Sequence, residues 1–205
     1  MVTVVASLGS ASREVVTDVA HLVVNDEDVV VVDGHDGDAS LVGEMQASGV
    51  AGVGLSGIDG KLLLGSDAGV ESVNVDLLET LLDDGYVPVV SGPALAEVGS
   101  DDERVHLAAT EVASAVAGAL AVCDPEAEVD LVLLSDGHTA AGTVDTADGF
   151  DALRETGADD HELAAAETAL ASGVDRVVIG DATLGDPIIA ACGNHGTHIV
   201  GGALS

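Results

Sequence analysis

Positive charge is what this 205-residue chain most lacks. One lysine, Lys61, and four arginines, Arg13, Arg104, Arg154 and Arg176, face 37 acidic residues, for a formal charge of −32. Nucleic-acid binding needs clustered Lys and Arg against phosphates, and an anionic membrane surface needs the same, so the balance excludes both partners. Aromatic rings are nearly absent, with Tyr86 and Phe150 alone and no Trp. The core must then come from Val, Leu and Ala, each burying modest area, so it depends on many small contacts. The two cysteines, Cys123 and Cys192, form no CxxC spacing and no disulfide framework, and read as small buried apolar residues. No apolar run approaches the roughly 18 residues of a membrane helix. The N-terminal MVTVVASLGSAS carries no basic leader, which predicts a cytoplasmic protein.

What is present is a steady alternation of Val-rich runs and amphipathic stretches, the pattern of a mainly parallel sheet flanked by helices. Because the acidic residues are interleaved with these runs, the chain should fold rather than stay disordered. Strands are expected at Thr3–Ser7, Asp28–Asp33, Val50–Leu55, Tyr86–Ser91, Val129–Asp136, Asp175–Asp181 and Thr197–Val200. Helices are expected at Ser12–Val23, in a short segment ending near Ser48, and at Val75–Gly85, Asp101–Leu120, Ala147–Thr156 and Asp159–Ser172. A further helix starts at Pro187. Lys61–Gly65 reads as one arm of a small hairpin around Ser56–Gly60, and Pro88 points to an edge strand or a strand start. Length favours one domain, 1–205, with an acceptor-side lobe over 1–95 and a nucleotide-side lobe over 96–205.

In an open α/β sheet, ligands sit where strands end and helices begin. Here those loops are Leu8–Ser10, Gly34–Asp38, Gly54–Gly60, Ser135–Thr139 and Gly180–Asp186. Several are glycine-rich and two lead into helix N-termini, which suits an anionic ligand.

Four ordered stretches carry a family resemblance: VGLSGIDGKLL (Val53–Leu63), VNVDLLETLLDDGYVPVVS (Val73–Ser91), LVLLSD (Leu131–Asp136) and VVIGDATLGDPIIAACGNHGTHI (Val177–Ile199). Together they resemble the amino-acid kinase family, in its acetylglutamate kinase branch. Within that branch they are most similar to archaeal enzymes acting on a glutamate or aminoadipate held by a small carrier protein. The resemblance implies a three-layer αβα sandwich of the carbamate kinase-like type, with a mainly parallel central sheet and a shortened N-terminal lobe. It also implies ATP-dependent phosphorylation of a carboxylate in arginine or lysine biosynthesis, with ATP and Mg²⁺ as cofactors. Backbone N–H groups of glycine loops would hold the phosphoryl group and lysines would neutralise its charge. Carried over residue by residue, Gly9 and Gly34 belong to the phosphate and substrate loops, Asp136 is the aspartate that orients active-site lysines, and Gly180 and Asp181 belong to the nucleotide site.

The chain departs from the family's pattern at its cations. Ala6 stands where a lysine follows the first strand, and Glu162 or His161 where another opens the LAAAETAL helix. Asp33-Gly34-His35-Asp36 replaces a triple-glycine loop, and His106-Leu107-Ala108 replaces the substrate-binding Asn-Ala-Asp. The segment from Gly34 to Gly54 is too short for the family's arginine-bearing lid. These departures predict impaired or lost catalysis, with a non-catalytic binding or regulatory subunit as the alternative. Partners would be a small amino-acid-derived acceptor or a carrier protein, with a homodimer or pairing with an intact kinase also open. Arg104 is the protein cation nearest the substrate stretch, whereas Lys61 falls in a hairpin away from the chemistry.

Three other constellations remain. Asp33, His35, Asp36 and Asp38 could take a divalent metal, although a solvated acidic turn is the simpler reading and no metal is assigned. Asn194–His198 carries two histidines three apart, which face opposite sides of a strand. Asp136-Gly137-His138 could pair an acid with a base, but no nucleophile accompanies it.

A charge of −32 repels itself in dilute buffer and is screened in salt, so the composition points to a high-salt cytoplasm. The screening length falls from about 10 Å at about 0.1 M to about 3 Å at 1 M. The thermal midpoint should therefore rise by roughly 6–12 °C, about 3 kcal/mol for a chain of this size, between about 0.1 and about 2 M KCl. A salt-independent melting curve would refute this.

Overall fold

The computed structural model describes residues 2–8, 13–33, 39–96, 104–138, 140–155 and 159–204. The chain opens with β1 (Val2–Leu8), α1 (Arg13–Val24), β2 (Asp28–Asp33), α2 (Ala39–Ala47) and β3 (Gly52–Ser56). There follow β4 (Leu63–Ser66), β5 (Gly69–Val73), α3 (Val75–Asp83), β6 (Val87–Ser91), β7 (Ala94–Ala96) and β8 (Arg104–Val105). The rest comprises α4 (Ala109–Cys123), β9 (Glu128–Ser135), β10 (Gly142–Val144), α5 (Ala147–Glu155), α6 (Asp160–Ala171), β11 (Arg176–Asp181), α7 (Pro187–Ala190) and β12 (Thr197–Val200).

Among the described residues, eight strands form one sheet in the order β10-β12-β11-β9-β1-β2-β6-β3. The pairings from β11 through β3 are all parallel, and β12 joins β11 antiparallel. Strands so placed are buried on both faces, which is why β2 reads DVVVVD and β9 contains VDLVLL without alternation. Each face has its own core. Val4, Ala6 and Leu8 of β1 pack with Val15, Val16 and Val19 of α1, Met45 of α2 and Ile188 of α7. Val5 packs on the other side with Leu78 of α3, Val116 of α4, Phe150 of α5 and Leu163 of α6. The three-layer α/β architecture expected from the sequence is the one observed.

Helix packing explains the alanine-rich sequences. Gly118 of α4 lies where an added Cβ would come within 2.7 Å of Ser172 Cβ. Ser114 Oγ, also in α4, donates to the Ala165 carbonyl of α6 at 2.8 Å. Small residues thus let the two helices approach closely. Helix α3 stops at Gly85, whose φ of +78° suits glycine. The N–H groups of Gly85 and Tyr86 donate back to the Leu82 and Leu81 carbonyls, closing a Schellman motif.

Several sequence expectations need correction. The hairpin is β4–β5, turning at Asp67–Ala68, and it belongs to a second, four-stranded sheet in the order β5-β4-β7-β8. A tight turn, in which Asp59 Oδ2 accepts the Ser56 N–H at 2.8 Å, separates it from β3. Helix α4 starts at Ala109 rather than Asp101, because Arg104–Val105 pair with β7 instead. Strand β6 is internal, but Pro88 precedes the point where pairing with β2 begins at Val89, so its missing N–H breaks no bond on that side. Cys123, at the end of α4, is exposed, whereas Cys192 is half-buried. Among the described residues no helix is long and apolar enough to cross a membrane.

Gly118→Val forces a branched side chain into the α4–α6 contact. It should lower unfolding stability by about 1–3 kcal/mol, read from the denaturant midpoint at constant slope. An unchanged midpoint would mean that the helices can part at no cost.

Candidate functional site

The sheet has a topological switch point between β1 and β9. From β1 the chain crosses to β2 through α1 on one face; from β9 it crosses to β11 through α5 and α6 on the other. The carboxyl ends of β1 and β9 therefore diverge, and the crevice above them is the expected ligand position in such a sheet. Register pairing brings a row of polar residues to this edge: Ser56 beside Ser91, Ser91 beside Asp33, and Ser135 beside Asp181. Between them β1 contributes Leu8, paired with both Asp33 and Leu134.

The β9–β11 side of the crevice is held by hydrogen bonds to one carboxylate. Asp181 Oδ1 accepts from the Gly137 N–H at 3.2 Å, the Thr183 N–H at 2.9 Å and the Thr183 hydroxyl at 2.7 Å. These bonds, the Thr183 hydroxyl foremost, hold its pKa below the ordinary carboxylate value. Asp136, the expected orienting aspartate, lies in the exposed turn beside Gly137, so Asp136 and Asp181 stand on adjoining loops. Gly180 sits within β11, where a Cβ would come within 2.4 Å of Ala191 Cβ, so close backbone packing requires glycine there. Gly9 and Gly34 lie outside the described residues, as does the Gly34–Asp38 part of the acidic loop.

Glu162, not His161, faces inward at the start of α6. It is 6% exposed, whereas His161 is exposed, with its N–H bonded at 2.7 Å to the capping Asp159 carboxylate. Burial raises the Glu162 pKa, opposed by a hydrogen bond from Ser135 and reinforced by Asp159. Next to this carboxylate's partner strand, His138 shares a 2.9 Å hydrogen bond with Thr197 Oγ1. Burial lowers the His138 pKa, with Asp181 opposing. The residues positioned for chemistry on this side are hydroxyls, carboxylates and an imidazole biased towards its neutral form.

On the β2–β6 side, Asp33, Ser91 and His106 line a small recess of about 50 Å³ at the start of α4. Asp33 is 4% exposed. The N-cap position of α4 is Ala108, which supplies no side-chain bond to the first turn.

The cations whose side chains are described lie elsewhere or in the open. Arg176 is the first residue of β11, at the opposite edge of the sheet, paired with Asp130 through two hydrogen bonds. Arg154 pairs with Glu167 at 3.2 Å and lies over the Phe150 ring. Arg104 is exposed in β8, and Lys61 is exposed in the turn after β3. Ala6 is completely buried under α1. The His195 and His198 side chains form no joint site: His198 Nε2 contacts the Gly193 carbonyl at 2.9 Å. Among the described residues no group of three His, Cys, Asp or Glu side chains is placed to hold a metal ion.

One buried carboxylate escaped the sequence reading. Asp18 of α1 is fully buried and accepts the Ile188 and Ile189 N–H groups at 2.6 and 3.2 Å. Its signal was present: an aspartate set within the apolar stripe of Val15, Val16 and Val19.

The raised Glu162 pKa has a definite sign. Its charged form is disfavoured by folding, so ionisation costs stability at neutral pH, and the cost disappears below the ordinary carboxylate range. Glu162→Gln should therefore unfold at higher denaturant than wild type at neutral pH. The two should converge as pH falls to about 4, near the unfolded-state value. A pH-independent difference would contradict the burial.

No family model matches the sequence. Individual relatives do. The acetylglutamate kinase of Methanopyrus kandleri is 40% identical over 95 residues, 39% of this chain and 37% of that protein. The LysW-aminoadipate kinase of Deinococcus radiodurans is 36% identical over 192 residues, 77% of this chain and 61% of that protein. A putative LysW-aminoadipate/LysW-glutamate kinase of Cenarchaeum symbiosum is 30% identical over 188 residues, 78% of this chain and 68% of that protein. The chain thus spans about three fifths or less of the first two. Solved structures agree on the fold: smu.665 of Streptococcus mutans superposes with a TM-score of 0.73 at 14% identity, covering 98% of both chains. Giardia carbamate kinase gives 0.70 at 11% identity, covering 97% of this chain and 98% of that one. A parallel sheet with its switch point between β1 and β9, and identity sustained over most of a LysW-aminoadipate-type kinase, lead to one assignment: the chain belongs to the amino-acid kinase family, in the branch of the acetylglutamate and LysW-aminoadipate kinases.

Proposed function

We propose that the crevice at the carboxyl ends of β1 and β9 takes Mg·ATP, and that the chain is a carboxylate kinase with impaired phosphoryl transfer. The acceptor is the side-chain carboxylate of an N-blocked glutamate or aminoadipate, free or held on a small carrier protein. One observation carries the reading: a chain of a kinase family keeps the switch-point topology, yet ends β2 and β11 in Asp33 and Asp181 and buries Glu162 at the start of α6.

The chemistry of the lining explains both halves of the proposal. Phosphoryl transfer involves little covalent work by the protein, so positioning and charge neutralisation dominate its rate. A carboxylate about 4 Å from a phosphate oxygen costs about 4 kcal/mol unscreened at an effective dielectric of 20. Loss of a cation at the transferring group typically costs on the order of 10³ in rate. The oxygen donors on the adjoining Asp136 and Asp181 loops suit Mg²⁺, which binds through one or two carboxylates plus substrate phosphates. Bound there, Mg²⁺ would supply the charge neutralisation that no described basic side chain offers. Asp181 keeps the Gly137 turn in place, and the N-terminus of α4 offers partial positive charge to the acceptor side.

Glu162 favours a second reading, a non-catalytic binding or regulatory subunit, because a buried carboxylate there repels a phosphate rather than stabilising one. Titrating Mg·ATP calorimetrically into the folded protein in concentrated KCl tests nucleotide binding. A dissociation constant below about 1 mM, near −4 kcal/mol, is expected. Hydroxylamine trapping of acyl phosphate should then show turnover well below the usual kinase range of about 1–100 s⁻¹. Binding without any turnover favours the non-catalytic subunit. No heat on a folded sample overturns the kinase reading.

A further inference from the structure

The turn between β11 and α7, residues 182–186, is tied down at both ends by carboxylates. At its start, Asp181 Oδ1 binds the Thr183 N–H and hydroxyl and reaches across to the Gly137 N–H. At its end, the first amides of α7 are not capped from within the turn: Asp186, at the N-cap position, makes no side-chain hydrogen bond to the helix. The cap comes instead from Asp18 of α1, 170 positions earlier in the chain, through the 2.6 Å bond to Ile188 and the 3.2 Å bond to Ile189. Ile188 is fully buried beneath it, so the contact is held by packing as well.

Asp18 is a costly choice for a cap. It is completely buried, and among the described residues its other oxygen, Oδ1, has no hydrogen-bond partner. A carboxyl half-satisfied in the interior is stability foregone, and such groups call for a reason beyond packing. Position supplies one. Helix α1 follows β1, and the β11–α7 turn follows Asp181, so the two elements joined by Asp18 leave the sheet from strands on either side of β9.

We propose that Asp18 is a positioning residue: accepting the Ile188 and Ile189 amides, it fixes the β11–α7 turn relative to α1 and so sets the shape of the crevice that receives the nucleotide. The nucleotide part rests on the function proposed above; the fixing of the turn does not. With the carboxylate in place, the turn is a rigid wall between Asp181 and Ile188. Without it, α7 loses its only described side-chain cap, and the wall is anchored at Asp181 alone.

Two substitutions separate hydrogen bonding from charge and size. Asp18→Asn keeps an oxygen that can accept both amides; Asp18→Leu fills the same volume with no acceptor. Site-resolved hydrogen exchange in concentrated KCl is the primary measurement, with Mg·ATP affinity as the second. The asparagine variant should retain slow exchange at Ile188 and Ile189 and an affinity within about threefold of wild type. The leucine variant should exchange at least about tenfold faster from 182 to 190 while β1 and β9 stay protected. Its nucleotide affinity should fall at least about tenfold. Should the leucine variant fail to fold, Asp18→Ser, whose hydroxyl stops short of the amides, takes its place.

Native exchange across 182–190 in the leucine variant would overturn the proposal. So would faster exchange spread evenly over the sheet, which is what a merely structural residue gives. An asparagine variant indistinguishable from leucine would overturn the hydrogen-bonding role in favour of charge. If wild type itself binds no Mg·ATP, the kinase reading fails, and exchange alone judges the fixing of the turn. Wild-type binding that is unchanged in the leucine variant, despite a loosened turn, would overturn the link to the crevice.

Discussion

The burial of β1 on both faces is the constraint from which the rest of the crevice follows. Val4, Ala6 and Leu8 lie against α1, and Val5 lies against the α4 side, so β1 can occupy only the middle of the sheet. Its neighbours are fixed by register, Leu8 beside Asp33 on one side and beside Leu134 on the other. Crossovers to opposite faces from β1 and β9 then open a crevice at their carboxyl ends. No side chain in the crevice creates that opening; the apolar pattern of the strands does. This is why the fold survives at 11–14% identity to solved structures while the residues at the edge are free to change.

Burial also determines which residues near the edge can carry charge. Ala6 belongs to the packed layer under α1, where a cationic head would lose its hydration. Glu162 is tolerated because Ser135 donates to it and the α6 N-terminus lies close, yet burial still raises its pKa. Asp181 shows the opposite balance: with three donors on one oxygen and ready access to solvent, its charged form is favoured. Two carboxylates on neighbouring elements are thus driven in opposite directions by desolvation and hydrogen bonding. A net charge of −32 alone would not have distinguished them.

Legibility in the sequence followed the strength of the local pattern. Strands β2 and β12 were read to the residue, and α3, α5 and α6 to within a residue or two, because apolar runs and helical stripes of that length admit one interpretation. The second sheet was invisible. Strands β7 and β8 are three and two residues long, too short for any period, and they exist only because they pair with each other and with β4. The long helix expected over Asp101–Leu120 was likewise overridden at Arg104–Val105 by their pairing with β7. Asp136 and Asp181 were expected from the resemblance, and their adjacency follows from the pairing of β9 with β11. Whether Glu162 or His161 faces inward depends on the rotation of α6, which a largely alanine sequence does not specify.

Asp18 illustrates a different limit. An aspartate inside an apolar helical stripe is an anomaly that the sequence displays, but its partners are amides 170 positions away, and backbone donors leave no trace in residue identity. The same is true of the Gly137 N–H that Asp181 holds. In a chain nearly without cations, few carboxylates can be satisfied by ion pairs: Asp130 is, through Arg176, whereas Asp18 turns to backbone N–H groups and Glu162 to the Ser135 hydroxyl. Asp18 and Asp181 thus face the N–H groups at the start of α7 and in the turns after β9 and β11. In a parallel sheet, those positions form the edge at which ligands bind. The charge composition and the polar edge of the sheet are therefore linked: with five Lys and Arg against 37 acids, carboxylates near that edge meet backbone N–H groups and hydroxyls rather than cations.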